Sequence, residues 1–273
     1  AARRAPAAVL AADVAPVVMA FALRCGTASM GNDDEGYAKE DGSFWPRRAS
    51  GIDRFLHYAK HYSCLEVDSS SYAIPQKRIF MEWSERAPPG FVFHFKAFGL
   101  FTGIAIPPTM LPYQVREKMS PVLLTKSHVA LKELDGEQRD ALWDAFNKSL
   151  ERFHTAKHLG FVLFQFQHGF RYGEKAFKYL SHCRARLDAR YCMAVELRSW
   201  SFYEPQMNLD ATVAWCRRHR VCLVGTDELH GASLRGAGAT AARQRPTRVI
   251  EDSAAAGLCL REYANGIDGS RSG

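Results

Sequence analysis

Short apolar runs alternate along the chain with longer amphipathic ones, the pattern of a parallel α/β protein. Six runs have the length and composition of strands: Ala20–Cys25, Cys64–Asp68, Val92–Lys96, Phe161–Phe166, Met193–Arg198 and Val221–Thr226. Between them the apolar period lengthens to that of a helix. Asp53–Tyr62 sets Phe55, Ala59 and Tyr62 on one face, and Pro75–Arg86 gathers Ile79, Phe80 and Trp83 behind a first-turn proline. Asp135 is placed to cap a long helix that carries Leu142, Phe146, Leu150 and Phe153 at three- and four-residue spacing and ends before Gly160. Further helices fit Glu174–Leu187 and Leu209–Arg218, with Asn208 as the cap of the second.

Five of the six strands are thus followed by a helix. A long polar loop, Gly31–Ser50, loosens the first unit, and the third carries an insertion, Gly103–Leu134, expected to cover the mouth of the sheet. After Asp227 the order stops: GASLRGAGATAARQRPTR has no period, and nothing beyond it has the pattern of a seventh or eighth strand. A (β/α) barrel of TIM type is one of the few folds that occupies a chain of this length as one domain. The expectation is such a barrel over residues 21–230, with about six recognisable βα units of eight. Residues 1–20 are expected to be disordered or the remnant of a targeting peptide, and 231–273 a low-complexity, disordered tail.

Composition narrows the reading. The 273 residues are 47% hydrophobic and 24% charged, a globular balance, and no apolar run approaches the roughly 20 residues that span a bilayer. The net charge of +7 raises the question of nucleic acid. Residues 1–20 contribute +1 and residues 231–273 contribute +2, which leaves +4 spread over the rest without a cluster interleaved with aromatics. That distribution argues against a nucleic-acid partner and for a mildly basic surface; the expected partner, on the strand-end residues below, is a small-molecule ligand. Seven cysteines form no CxxC pair and no framework, which suits reduced thiols in an intracellular compartment, cytoplasmic or organellar. The oligomeric state is left open.

Candidate chemistry lies where polar residues interrupt the strands, because buried parallel strands are otherwise apolar. CLEVD carries Glu66 and, two residues on, Asp68; FVFHFK carries His94 and Lys96; VLFQF carries Gln165; MAVELR carries Glu196 and Arg198; VCLVGTDE ends at Asp227. Charged residues at the C-terminal ends of barrel strands converge at the mouth, where barrel enzymes do their chemistry. One such residue is as readily an ion pair filling a layer of the interior. The whole set favours a site, because burying so many charges is costly.

The segments LRCGTAS, FWP, YAKHYSCLEVDSSSY, P-x(7)-W-x-x-R-x-P-x-G-F-x-F-x-x-K, LGFVLFQF and AVELRSWSF follow one another in this order. In that order they resemble the signatures of the YecE-like proteins, a family classed as domain of unknown function 72. The resemblance covers roughly Leu23 to Glu228. It implies a (β/α) barrel whose strand-end residues include Glu66, Ser69, Tyr72, Lys96, Gln165, Glu196, Arg198, Trp200 and Asp227, and it implies no named reaction. The chain departs from the family pattern at Met30, at Ser71 and at Thr102-Gly103, where a Thr-His pair is usual. Without recognisable seventh and eighth units, the chain is expected to derive from a truncated or altered reading frame.

Other motifs carry less. His57/His61 and His154/His158 have helical metal-binding spacing, but no carboxylate lies between the first pair and a solvated face explains both. No G-x-S-x-G surrounds Ser69–Ser71, and there is no phosphate-binding glycine loop. No cofactor is expected. A divalent metal on Glu66, Glu196, Asp227 and Gln165 is conceivable, but Lys96 and Arg198 would compete with it. The reading is an enzyme for a small polar or anionic metabolite. Glu66, Glu196 and Asp227 are the candidate catalytic residues, and Ser69, Tyr72, Lys96, Gln165, Arg198 and Trp200 the candidate binding residues. A binding module, a nucleic-acid protein and an inactive partial barrel are the alternatives.

Overall fold

The computed structural model describes residues 24–30, 44, 51–75, 78–227 and 259–262, with the backbone alone for 226, 227 and 259–262. The strands β1 (Gly26–Ala28), β2 (Cys64–Val67), β3 (Val92–Lys96), β4 (Leu159–Phe166), β5 (Cys192–Leu197) and β6 (Cys222–Asp227) lie side by side in chain order, every pair parallel. The helices are α1 (Gly51–Tyr58), α2 (Arg78–Arg86), α3 (Tyr113–Arg116), α4 (Pro121–Leu124), α5 (Gly136–Thr155), α6 (Glu174–Arg186) and α7 (Gln206–His219).

Alternation divides each strand between two faces. Leu65, Val67, Phe93, Phe95, Val162, Phe164, Phe166, Met193, Val195, Leu197 and Leu223 share one core with the buried faces of the helices. The opposite parity forms a second, smaller cluster of Leu163, Ala194 and Val224 with Phe161 and Cys222. A sheet that is apolar on both faces and helix-covered on one is a sheet curled around its own interior. The six strands form part of a TIM-type barrel, and the inner parity carries Glu66, His94, Lys96, Gln165 and Glu196. Phe93 anchors the outer layer. It is fully buried, with Phe55 at 5.3 Å and Phe91 and Phe153 at 5.0 Å between ring centroids, and burying a side chain of this size contributes about 1.5–3 kcal/mol.

Local chemistry sets the boundaries. Asp135 caps α5: its carboxylate accepts from Gln138 N at 2.8 Å while Gln138 Oε1 accepts from Asp135 N at 3.0 Å. β1 begins at Gly26, later than the apolar run at 20–25 suggests. A Cβ there would lie 2.0 Å from the Cys64 carbonyl oxygen, so the close approach to β2 requires glycine. The expectations for residues 1–23, for most of the loop at 31–50 and for most of 231–273 lie outside the described residues. α7 starts at Gln206, so Asn208 is no cap. It lies within the first turn and donates to the carbonyls of Ser201 (2.9 Å) and Glu204 (3.2 Å), tying the helix to the loop after β5.

Two further expectations are corrected. A seventh strand exists: β7 (Cys259–Glu262) pairs parallel with β6, from Val224 opposite Cys259 to Asp227 opposite Glu262. Its sequence CLRE has two apolar residues and no period, so only pairing reveals it. The insertion at 103–134 does not cover the mouth as a whole. Its α3 packs on α5, and Lys118 O accepts from Gln138 Nε2 at 2.7 Å; only Ile104 of the insertion lines the cavity described below.

The β3–β4 ladder slips at one point. Phe93 faces Leu159 but Phe95 faces Val162, so β4 has one residue too many, at Gly160–Phe161. The Phe161 N–H donates to His94 Nδ1 at 3.2 Å, and the two rings stack with centroids 3.8 Å apart. A Cβ on Gly160 would meet His94 Nδ1 at 2.3 Å and Val92 Cγ1 at 2.5 Å. Gly160→Ala is expected to lower stability by about 1–3 kcal/mol through this overlap. A urea-unfolding midpoint equal to that of the parent protein would contradict it.

Candidate functional site

Parallel strands all deliver their C-terminal ends to one rim, and here that rim encloses a cavity of about 280 Å³. Its lining includes Asp68, Ser71 and Tyr72 from the turn after β2, Lys96 at the end of β3 with Ala97 after it, and Thr102 and Ile104 beyond. Leu163, Gln165 and Gln167 come from β4 and its extension, and Arg198 follows β5.

A single 3₁₀ turn, Asp68–Ser71, shapes the first side. Ser70 Oγ lies 2.6 Å from the Val67 carbonyl oxygen and 2.7 Å from that of Lys96, so the buried hydroxyl clips the end of β2 to the end of β3. Ser71 Oγ donates to Asp68 O at 2.7 Å. These clips hold Asp68 against Lys96, whose Nζ contacts Asp68 Oδ1 directly and stands 4.0 Å from Glu66 Oε1. Glu66 is 9% exposed, Lys96 14% and Asp68 32%, so of the two carboxylates Asp68 is the one that reaches the cavity.

On the far side Glu196 is 1% exposed. Its Oε1 accepts from Gln165 Nε2 and from Arg198 Nε, both at 2.8 Å. A carboxylate buried to this degree is costly without donors of this kind on its oxygens. The backbone supports the arrangement: Gln165 and Glu196 are register partners in the β4–β5 ladder, and Arg198 N donates to Phe166 O at 3.2 Å.

The structure therefore brings Glu66, Lys96, Gln165, Glu196, Arg198 and Tyr72 to one place. Ser69 is exposed and Trp200 is 43% exposed, with Tyr203 6.3 Å away between ring centroids; neither lines the cavity. Asp227 ends β6, and its side chain lies outside the described residues. Asp68, which the sequence places on the face of Glu66 but outside the catalytic and binding sets, lines the cavity, as do Gln167, Ser71 and Thr102. Gln167 was legible by the same parity, since it follows Gln165 at i+2.

Among the described residues no group of three His, Cys, Asp or Glu side chains is arranged to hold a metal ion, and no helix is long and apolar enough to cross a membrane. His57 and His61 sit 4.9 Å apart between ring centroids, with Phe44 about equally close to both.

A family model described as protein of unknown function DUF72 matches residues 26–265. The chain belongs to this family. The match extends past β7, beyond the point where the motifs fade. A Bacillus subtilis relative, the UPF0759 protein YunF, is 27% identical over 184 residues, which is 66% of this chain and 56% of that protein. Two crystallised DUF72 family proteins have the same fold. The one from Enterococcus faecalis has a TM-score of 0.53 and 21% identity, covering 76% of this chain and 62% of the other. The one from Thermotoga maritima has a TM-score of 0.52 and 21% identity, covering 75% and 65%. The chain thus spans between half and two-thirds of the length of these relatives.

Beneath the DUF72 mouth, burial and, after it, the charge of Arg24 push His94 down from the usual 6.5 to about 4. The unfolded ring takes up a proton at pH values where the folded one does not, so stability is lost as pH falls through this window and is level above it. The loss attributable to His94 between about pH 7.5 and pH 5 is about 2 kcal/mol. Urea unfolding at both pH values should show this difference in the parent and not in His94→Gln. An equal pH dependence in the two would refute the assignment.

Proposed function

We propose that the mouth binds a small polar metabolite and acts on it by carboxylate acid–base chemistry. The supporting observation is the convergence of Asp68, Lys96, Gln165 and Arg198, delivered by four consecutive strands, on one cavity at the C-terminal end of the sheet. A layer of ion pairs that only filled the interior would have no reason to open onto a cavity.

The roles follow from exposure. Asp68 faces the ligand and Glu66 stands behind Lys96, so a proton can pass between ligand and carboxylates on that side. Glu196 is closed off beneath Gln165 and Arg198 and positions both. Tyr72, 60% exposed, forms a wall. A non-enzymatic binding module would use the same cavity without turnover.

Thermal melts with a panel of sugars, sugar phosphates and hydroxy acids come first, followed by proton NMR of each mixture. A ligand at 100 times its Kd stabilises by about 2.7 kcal/mol, a shift of about 5 °C for a domain of this size. At least one compound should raise the melt and be converted, with conversion falling at least about 100-fold in Glu66→Gln and in Asp68→Asn. Binding without conversion would favour the binding module. A melt that no compound raises would remove the case for a site.

A further inference from the structure

The charges at the mouth are already answered from within the protein. Lys96 is held by Asp68 and Glu66, and Arg198 by Glu196. Over these described side chains two cations meet three carboxylates, so the set carries a net negative charge. The rest of the polar lining is uncharged: the amides of Gln165 and Gln167, two hydroxyls and the phenol of Tyr72.

A phosphate or carboxylate offers only acceptor atoms and is matched by donors in excess. This lining alternates donors with acceptors. Asp68 accepts, Lys96 and Arg198 donate, and Gln167 does both. The chemical group that uses both kinds of partner is the hydroxyl, which donates one hydrogen and accepts two. An anion would have to lie against Asp68 or take Lys96 from it, at a cost that a neutral molecule avoids.

Building on the site reading above, we propose that the ligand is an uncharged polyhydroxylated molecule, a sugar or alditol of about five or six carbons, the size that such a cavity admits. Its hydroxyls bridge the Lys96–Asp68 pair and reach Gln167 and Arg198, while a C–H face rests on Tyr72. Lys96 and Arg198, candidate binding residues for a polar or anionic metabolite, serve as donors whose charge neighbouring carboxylates balance.

The test compares matched probes by thermal shift: xylose, glucose, xylitol and mannitol against glucose 6-phosphate, mannitol 1-phosphate and gluconate, each at low and high salt. At least one neutral probe should bind at least ten times more tightly than its charged counterpart, with an affinity that salt does not change. Asp68→Asn removes one negative charge and should move this preference at least tenfold toward the charged probe. Should that variant fail to fold, Gln167→Leu, at an exposed position outside the ion pairs, should weaken the neutral probe at least tenfold. Tighter binding of the charged member of a pair would overturn the proposal and leave the site reading standing. No shift with any probe would overturn both.

Discussion

The interior of this sheet is organised around a carboxylate that has no place in an apolar core. Glu196 is almost fully enclosed, and an ion in that position is tolerable only with donors on its oxygens. Gln165 and Arg198 supply them on a single oxygen at 2.8 Å each. The same contacts fix those two side chains in space and give the β4–β5 side of the cavity its shape. The β2–β3 side repeats the principle with Lys96 between Asp68 and Glu66, held in place by the Ser70 hydroxyl on two carbonyls. The mouth is therefore built from paired charges, assembled in advance of any ligand.

Pairing of this kind affects both energetics and chemistry. Each cation is held by a neighbour, so little side-chain freedom remains to be lost on binding. Each carboxylate differs in its access to solvent, which separates the group that can meet a ligand, Asp68, from the groups that hold the cavity's walls. The bulge at Gly160 belongs to the same construction. It seats the His94 ring against Phe161 one layer below Lys96, and it keeps the imidazole neutral beneath a charged rim.

Much of this was legible in the chain. The strands at Val92–Lys96 and around Phe161 and Met193 are dense in apolar residues, and Asp135 with Gln138 is a capping pair that local spacing reveals. The polar residues inside those strands pointed to the rim where the cavity lies. What escaped depended on contacts that the apolar period does not show. Gly26 starts a strand because Cys64 lies against it, β7 exists because β6 pairs with it, and Asn208 serves a loop rather than a cap because Ser201 and Glu204 lie within reach. The charge balance of the mouth was likewise invisible, because residue types do not say which cation meets which carboxylate. The relatives that share this fold are longer than the chain described, and their common family name carries no reaction. The site geometry is accordingly the ground on which the functional reading stands.

If these ion pairs are kept for the site and not for the fold, replacing one whole pair with apolar residues should be harmless to stability. The direct measurement is the urea-unfolding free energy of Arg198→Met, of Glu196→Leu and of the two combined. Arg198→Met alone, which takes the guanidinium from a buried carboxylate, should cost about 3 kcal/mol, while the double variant should return to within about 1 kcal/mol of the parent or exceed it. A double variant as unstable as the sum of the single ones would show that the pair holds the barrel together, and would contradict the claim that function placed it there.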